Sequence, residues 1–134
     1  MLVDSLLELL KWAWSCSPSL RKVFPTQKTF TLALEILSVL LNCSEGLSVT
    51  EITSRVNASR SNVQRILQRL FKLGLVERRP GISRSGGYVY IYYTSAERIY
   101  NSLKRLLQRD MDSLRRLVEM VEKQVAASCL ARTH

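Results

Sequence analysis

Histidine is almost absent from this chain, with His134 the single one in 134 residues, and the three cysteines, Cys16, Cys43 and Cys129, lie far apart. No spacing suits a zinc site or a disulfide framework. With no internal histidine, no metal-ligating cluster and no glycine-rich loop ending in Gly-Lys-Ser/Thr, most common enzyme chemistries lack their parts. We therefore expect no enzyme, no metal and no cofactor. Each cysteine reads as a buried structural thiol, with redox sensing or an inter-subunit bridge as the alternative, and the absence of a secretory leader suggests a reducing, cytoplasmic setting.

Long uninterrupted apolar runs are missing too. The opening "MLVDSLLELLKWAW" is broken by Asp4, Glu8 and Lys11, so it is too short and too charged to span a bilayer. Val3, Leu6, Leu7, Leu10, Ala13 and Trp14 repeat instead at the spacing of an amphipathic helix. A polar face with two acids and one lysine argues against a membrane surface as its partner.

Acidic residues are scarce: 11 Asp and Glu against 20 Lys and Arg leave a net charge of +9. Residues 55–84 hold eight of those cations (Arg55, Arg60, Arg65, Arg69, Lys72, Arg78, Arg79, Arg84) and a single acid, Glu77. Such a concentration of one sign points to a polyanionic partner. With 46% hydrophobic and 23% charged residues the chain otherwise has the composition of a globular protein, and its length suits one domain with helical extensions.

Along the chain, "SCSPSLRKVFPTQK" (15–28) reads as a linker or irregular connection because of its prolines and small polar residues. "TFTLALEILSVLLNC" has the broad apolar face of a core helix, and Gly46 suits the left-handed position after it. "SVTE" fits a capping box of Ser48 and Glu51 opening a helix of about eight residues, to Val56. "NAS" then makes a tight turn, Ser59 caps a helix from Arg60 to Leu73, and Gly74 ends it. The period changes to strand, loop and strand in "LVERR", "PGISRSGG" and "YVYIYY". Thr94 and Glu97 form a second plausible capping box before a helix from about Ala96 to Val125, roughly 45 Å long at 1.5 Å per residue. The order defines a mainly α (α+β) fold, a winged helix-turn-helix with a two-stranded wing and a long C-terminal dimerisation helix. Three regions follow: an N-terminal amphipathic helix and linker (1–28), a DNA-binding domain (29–95), and a dimerisation helix and tail (96–134).

On a helical wheel of residues 60–73, Val63, Ile66, Leu67, Leu70 and Leu73 fall within an arc of about 120°. Opposite its centre lie Ser61, Gln64, Arg65, Gln68, Arg69 and Lys72. An α-helix fits the major groove, where Arg bonds guanine and Gln bonds adenine in bidentate fashion, and the N-terminal part of a recognition helix meets base edges. Ser61, Gln64, Arg65 and Gln68 are thus the expected base readers. Ser59, Arg60, Asn62, Arg69 and Lys72 are expected on phosphates. The hairpin adds Arg78, Arg79 and Arg84 around a Gly-Ser tip, suited to the backbone or the minor groove, or else a solubilising edge hairpin. Tyr88, Tyr90 and Tyr92 share one face of the last strand, where packing explains them more simply than base stacking.

In the last helix, Leu107, Met111, Leu114, Val118, Val121 and Val125 follow the 4,3 spacing of a coiled-coil seam. A homodimer is the expected use of that seam, the alternative being an intramolecular pair with residues 2–14.

The segments "LSVTEITSRVNASRSNVQRILQRL", "KLGLVERR" and "RSGGYVYIYYT" together resemble the DNA-binding domain of bacterial and archaeal winged-helix regulators of the MarR and TrmB type, over about residues 30–95. The long helix after the wing also suits small archaeal regulators of this kind. The resemblance implies a dimeric, sequence-specific binder of double-stranded DNA in transcriptional control, cytoplasmic and nucleoid-associated. The sugar-binding domain of the TrmB type has no counterpart here, so sugar sensing is not carried over. No small-molecule effector is assigned from the sequence.

Overall fold

The computed structural model describes residues 2–133, with side chains from 4 to 131; Val3's side chain and His134 lie outside it. Helix α1 (Leu2–Cys16) turns Leu6, Leu10 and Ala13 into the core and leaves Leu7 and Trp14 half-buried. Its periodic stripe is therefore used as packing.

The segment read as a linker contains a second helix, α2 (Pro18–Val23). Ser17 caps it by accepting from the Leu20 amide, and Pro18 stands at the first helical position, where its missing N–H removes nothing from the ladder. Leu20 and Phe24 are both buried. The Phe24 carbonyl accepts from the Trp14 indole at 2.8 Å, and Trp14 stacks on Phe30 with ring centroids 4.9 Å apart. Tertiary burial thus overrides the irregular local composition.

Helix α3 (Gln27–Leu41) follows, with Thr26 as its cap and Phe30, Ala33, Leu34, Ile36, Leu37 and Leu40 buried. Gly46, at φ 88°, turns the chain; a Cβ there would lie 2.7 Å from the Tyr92 carbonyl oxygen. Helix α4 (Val49–Thr53) carries the expected Ser48–Glu51 capping box but ends three residues earlier than expected. Thr53 and Ser54 bond back to the Val49 and Glu51 carbonyls at 2.7 Å, which favours closure of the helix at this point. Helix α5 (Arg60–Leu73) is capped by Ser59 and ended by Gly74 at φ 80°, with Val63, Ile66, Leu67 and Leu70 buried.

Strands β1 (Glu77–Ile82) and β2 (Tyr88–Tyr93) pair antiparallel from Glu77↔Tyr93 to Ile82↔Tyr88. Pro80 and Gly81 therefore belong to the strand and not to the loop. Gly81 is required by packing, since a Cβ would lie 2.5 Å from Ile91. An isolated bridge between Leu47 and Tyr92 adds a third short edge to the sheet. It buries Tyr92 and leaves Tyr88 and Tyr90 exposed, so the tyrosine row divides.

Helix α6 (Ala96–Thr133) runs 38 residues, roughly 57 Å at 1.5 Å per residue. Its start corrects the expected second capping box. Thr94 is buried and donates to the Leu75 carbonyl, while Ser95 takes the capping role by accepting from the Arg98 amide at 3.1 Å. Ile99, Leu103 and Leu106 join the core, where α1 and α2 both pack on α6. Asp110 closes that contact: its carboxylate accepts from the Ser17 hydroxyl and, at 2.6 Å, from that of Ser19.

The cysteines depart from expectation. Cys16 and Cys129 are exposed and only Cys43 is half-buried, because the first two sit on the outer faces of α1 and α6. No helix among the described residues is long and apolar enough to cross a membrane.

Candidate nucleic-acid interface

Helix α5 separates its two faces cleanly. The apolar side locks against α3 and α4, and Ser61, Gln64, Arg65 and Gln68 are all exposed on the other. The helix start is held from two directions. Ser59 accepts from the Asn62 amide at 3.3 Å, and the Arg60 guanidinium donates to the Thr50 hydroxyl at 2.9 Å, tying α5 to the first turn of α4. Arg65 donates to the Asn62 side-chain oxygen at 2.8 Å, so the expected base reader and its neighbour are already linked. Beside them a groove of about 880 Å³ opens towards α3, lined among others by Lys28, Glu35, Asn57, Asn62 and Arg65.

Further along, the expected phosphate contacts diverge. Lys72 is exposed, whereas Arg69 is half-buried and donates to the Val23 carbonyl at 3.3 Å. Its guanidinium is turned towards the end of α2, which the sequence did not indicate.

The three wing arginines occupy three different settings. Arg78 lies between two rings, 4.3 Å from the centroid of Phe71 and 4.3 Å from that of Tyr90. This double cation–π contact fastens the hairpin stem to α5. Arg79 donates to the Glu45 carbonyl at 2.7 Å, fastening the stem to the turn before α4. Arg84 is exposed in the loop between the strands, the place expected for a tip contact.

Two further acids bear on this surface. Glu77, the one acid in the basic window, pairs with Arg98 of α6 at 3.5 Å, which offsets the only negative charge among the eight cations. Arg98 lies outside that window, so the local sequence gave no sign of it. Glu51 accepts from the Ser48 backbone amide and the Ser48 hydroxyl, which hold its carboxyl below the usual range; Arg84 and Arg55 add to the same direction.

Met111, Leu114, Val118, Val121 and Val125 are exposed as expected, but Leu107 is half-buried against its own core and belongs chiefly to the domain. The α1–α6 contact realises part of the intramolecular alternative, and burial along α6 ends at Asp110.

Comparison with known proteins agrees with this geometry. Residues 32–80 match the family model of the IclR helix-turn-helix domain. Two uncharacterized proteins of Methanocaldococcus jannaschii are similar. One is 32% identical over 75 residues, covering 55% of this chain and 57% of that protein; the other is 42% identical over 69 residues, covering 51% and 56%. The chain thus spans little more than half the length of these relatives. Among solved structures, a "possible transcriptional regulator" from Methanosarcina mazei Go1 superposes with a TM-score of 0.59 at 22% identity, covering 75% of this chain and 83% of that one. The model matched is that of the IclR domain, so the likeness to MarR- and TrmB-type regulators holds only at the level of the winged-helix fold. Helix pair, helix α5, hairpin and long terminal helix give this chain a winged helix-turn-helix fold, within which residues 32–80 match the IclR helix-turn-helix model.

Proposed function

We propose that this protein is a sequence-specific DNA-binding transcriptional regulator acting as a homodimer, with α5 in the major groove and the wing on the phosphate backbone or in the minor groove. The observation that carries the reading is the exposed polar face of α5, whose supporting contacts to α4 and the wing stem all run through residues at its edges. Ser61, Gln64, Arg65 and Gln68 read bases. Ser59, Arg60, Asn62 and Lys72 meet phosphates, and Arg69 joins them by leaving the Val23 carbonyl. Arg78 and Arg79 set the wing's angle and Arg84 makes its outermost contact.

Phosphate neutralisation supplies most of the affinity and a few base contacts choose the site. Residues 29–95 form the reading unit, and residues 96–134 with the N-terminal helix support the dimer. The setting is the cytoplasm, on the nucleoid. The kinship to MarR- or TrmB-type regulators is retained only as shared class, with no effector assigned.

Competition binding tests the reading. A regulator prefers its selected site over bulk DNA by about 10³ or more. Equal affinity for both would make the protein an architectural coat, and no DNA binding at moderate salt would make the fold a protein-interaction module.

A further inference from the structure

Below Asp110, α6 leaves its own domain. Met111, Leu114, Leu117, Val118, Val121 and Val125 there keep between 53% and 60% of their surface exposed. The stripe continues the buried face of Ile99, Leu103 and Leu106, displaced by only about 60° around the helix at 100° per residue. At roughly 100 Å² for each of six side chains, and twice that by symmetry, it offers on the order of 1,200 Å² in total, the lower edge of stable specific interfaces.

We propose that this stripe is covered by α6 of a second copy running antiparallel, in the register that sets Leu114 opposite Val125 and Val118 opposite Val121. The inference rests on the homodimer of the proposed function and adds its direction. The charges beside the seam choose that direction. With Met111, Val118 and Val125 at one core position and Leu114 and Val121 at the other, Arg115 and Glu122 occupy the same flanking position one heptad apart. In an antiparallel pair like flanks face each other, so Arg115 meets the other copy's Glu122, and symmetry forms the pair twice. A shift of one heptad either way places Arg115 against Arg115 or Glu122 against Glu122.

A parallel pair does worse. It points Arg115 at the other copy's Asp110, whose carboxylate already serves Ser17 and Ser19, and it leaves Glu122 facing Leu117. Among the described residues Arg115 pairs within its own helix with Asp112, 3.9 Å away and exposed, a weak contact that leaves it available across the seam. Such exposed pairs add little affinity; they set register and orientation, while the apolar stripe holds the copies together.

The register also has a consequence for reading DNA. It places the two copies of Leu106 roughly 40 Å apart along the rod at 1.5 Å per residue, close to the 34–36 Å or so between successive major-groove faces.

The test uses the full chain with Cys16, Cys43 and Cys129 changed to Ser. Leu114→Cys is introduced in one sample and Val125→Cys in another, with tags of different size. Oxidation of the mixed samples should give chiefly the disulfide between the two variants. Either variant alone should give little, because its own copies lie roughly 16 Å apart at this rise. Strong self-linking of either variant would show a parallel pair and overturn the proposal. A dimer in sedimentation that gives no mixed disulfide overturns the direction and leaves the homodimer standing; a monomer at micromolar concentration overturns both. Charge reversal gives an independent readout: Arg115→Glu and Glu122→Arg should each weaken the dimer by about fivefold, and the double variant should recover to within about twofold. Failure of the double variant to recover overturns the register.

Discussion

Helices α5 and α6 are both amphipathic, yet they dispose of their faces in opposite ways. In α5 every large apolar residue on the inner face, from Val63 to Leu70, is buried by the domain itself, and what remains outside is polar and cationic. In α6 the same happens only as far as Asp110; below it the apolar residues are exposed. The difference separates two kinds of unfinished surface. A polar cationic face on a finished core is stable in water as it stands, so its use lies in a charged ligand. A contiguous apolar stripe is not stable in this way, and its natural completion is another protein surface.

The sharpest way to test that contrast is to truncate an apolar side chain in each helix. Leu67→Ala, at a fully buried position of α5, should cost about 3 kcal/mol of stability in urea unfolding, the ordinary cost of a core cavity. Val121→Ala, at an exposed position of α6, should leave the monomer's own unfolding unchanged and alter only its concentration dependence. Equal losses in dilute monomer would mean that the lower half of α6 is already covered within the chain.

A charge in the stripe asks more of the same distinction. Val118→Asp should preserve the circular dichroism of the domain, abolish the dimer, and weaken binding to a two-half-site operator by about 10² or more through loss of bivalency. Unchanged affinity would separate DNA binding from dimerisation altogether. On the polar face, Arg65→Ala should lose roughly 1 to 3 kcal/mol on the cognate site and relax one base position. The existing bond to Asn62 makes the companion Asn62→Ala informative. If Asn62 serves chiefly to aim Arg65, that change should relax the same base position to a smaller degree.

How much of this was legible beforehand follows the range of the interactions. Ser48, Glu51, Ser59 and Gly74 act on neighbours within a few residues, and each does what its local pattern indicates. The core face of α5 and the exposed seam of α6 are likewise set by periodicity. Helix α2 was missed because Pro18 and Ser17 suggested an irregular connection, although the same pair is a helix start; its stability comes from Leu20 and Phe24 finding the core. Thr94 and Ser95 are adjacent and chemically alike, and only the distant Leu75 carbonyl decides which of them caps α6. The settings of Arg69, Arg78 and Arg98 depend in part on Val23, Tyr90 and Glu77, which lie far along the chain from them. No local pattern announces such pairs. Ser61, Gln64, Arg65 and Gln68 are exposed, as the wheel indicates, because the apolar arc alone decides which side of α5 is buried.

The smallest expected effects lie where the wing tip approaches the helix-turn-helix. Arg84→Ala should make the salt dependence of DNA binding shallower by about one phosphate contact, and an unchanged slope would remove the tip from the interface. Arg84 also helps to hold the Glu51 carboxyl below its usual range, behind the larger contribution of the two Ser48 bonds. A carboxyl lowered in the folded state stabilises the fold above its unfolded-state value and loses that contribution as pH falls through the folded one. Acid should therefore weaken α4 below the ordinary carboxylate range, and Ser48→Ala, at a cost of about 1 kcal/mol at neutral pH, should remove the hydroxyl's part of that acid sensitivity while the larger part, from the residue 48 backbone amide, remains. Arg84→Ala should remove only a small part of it. If the two variants flatten the pH profile equally, the charge of the wing and not the capping box governs Glu51, and the wing tip is coupled to the helix-turn-helix even without DNA.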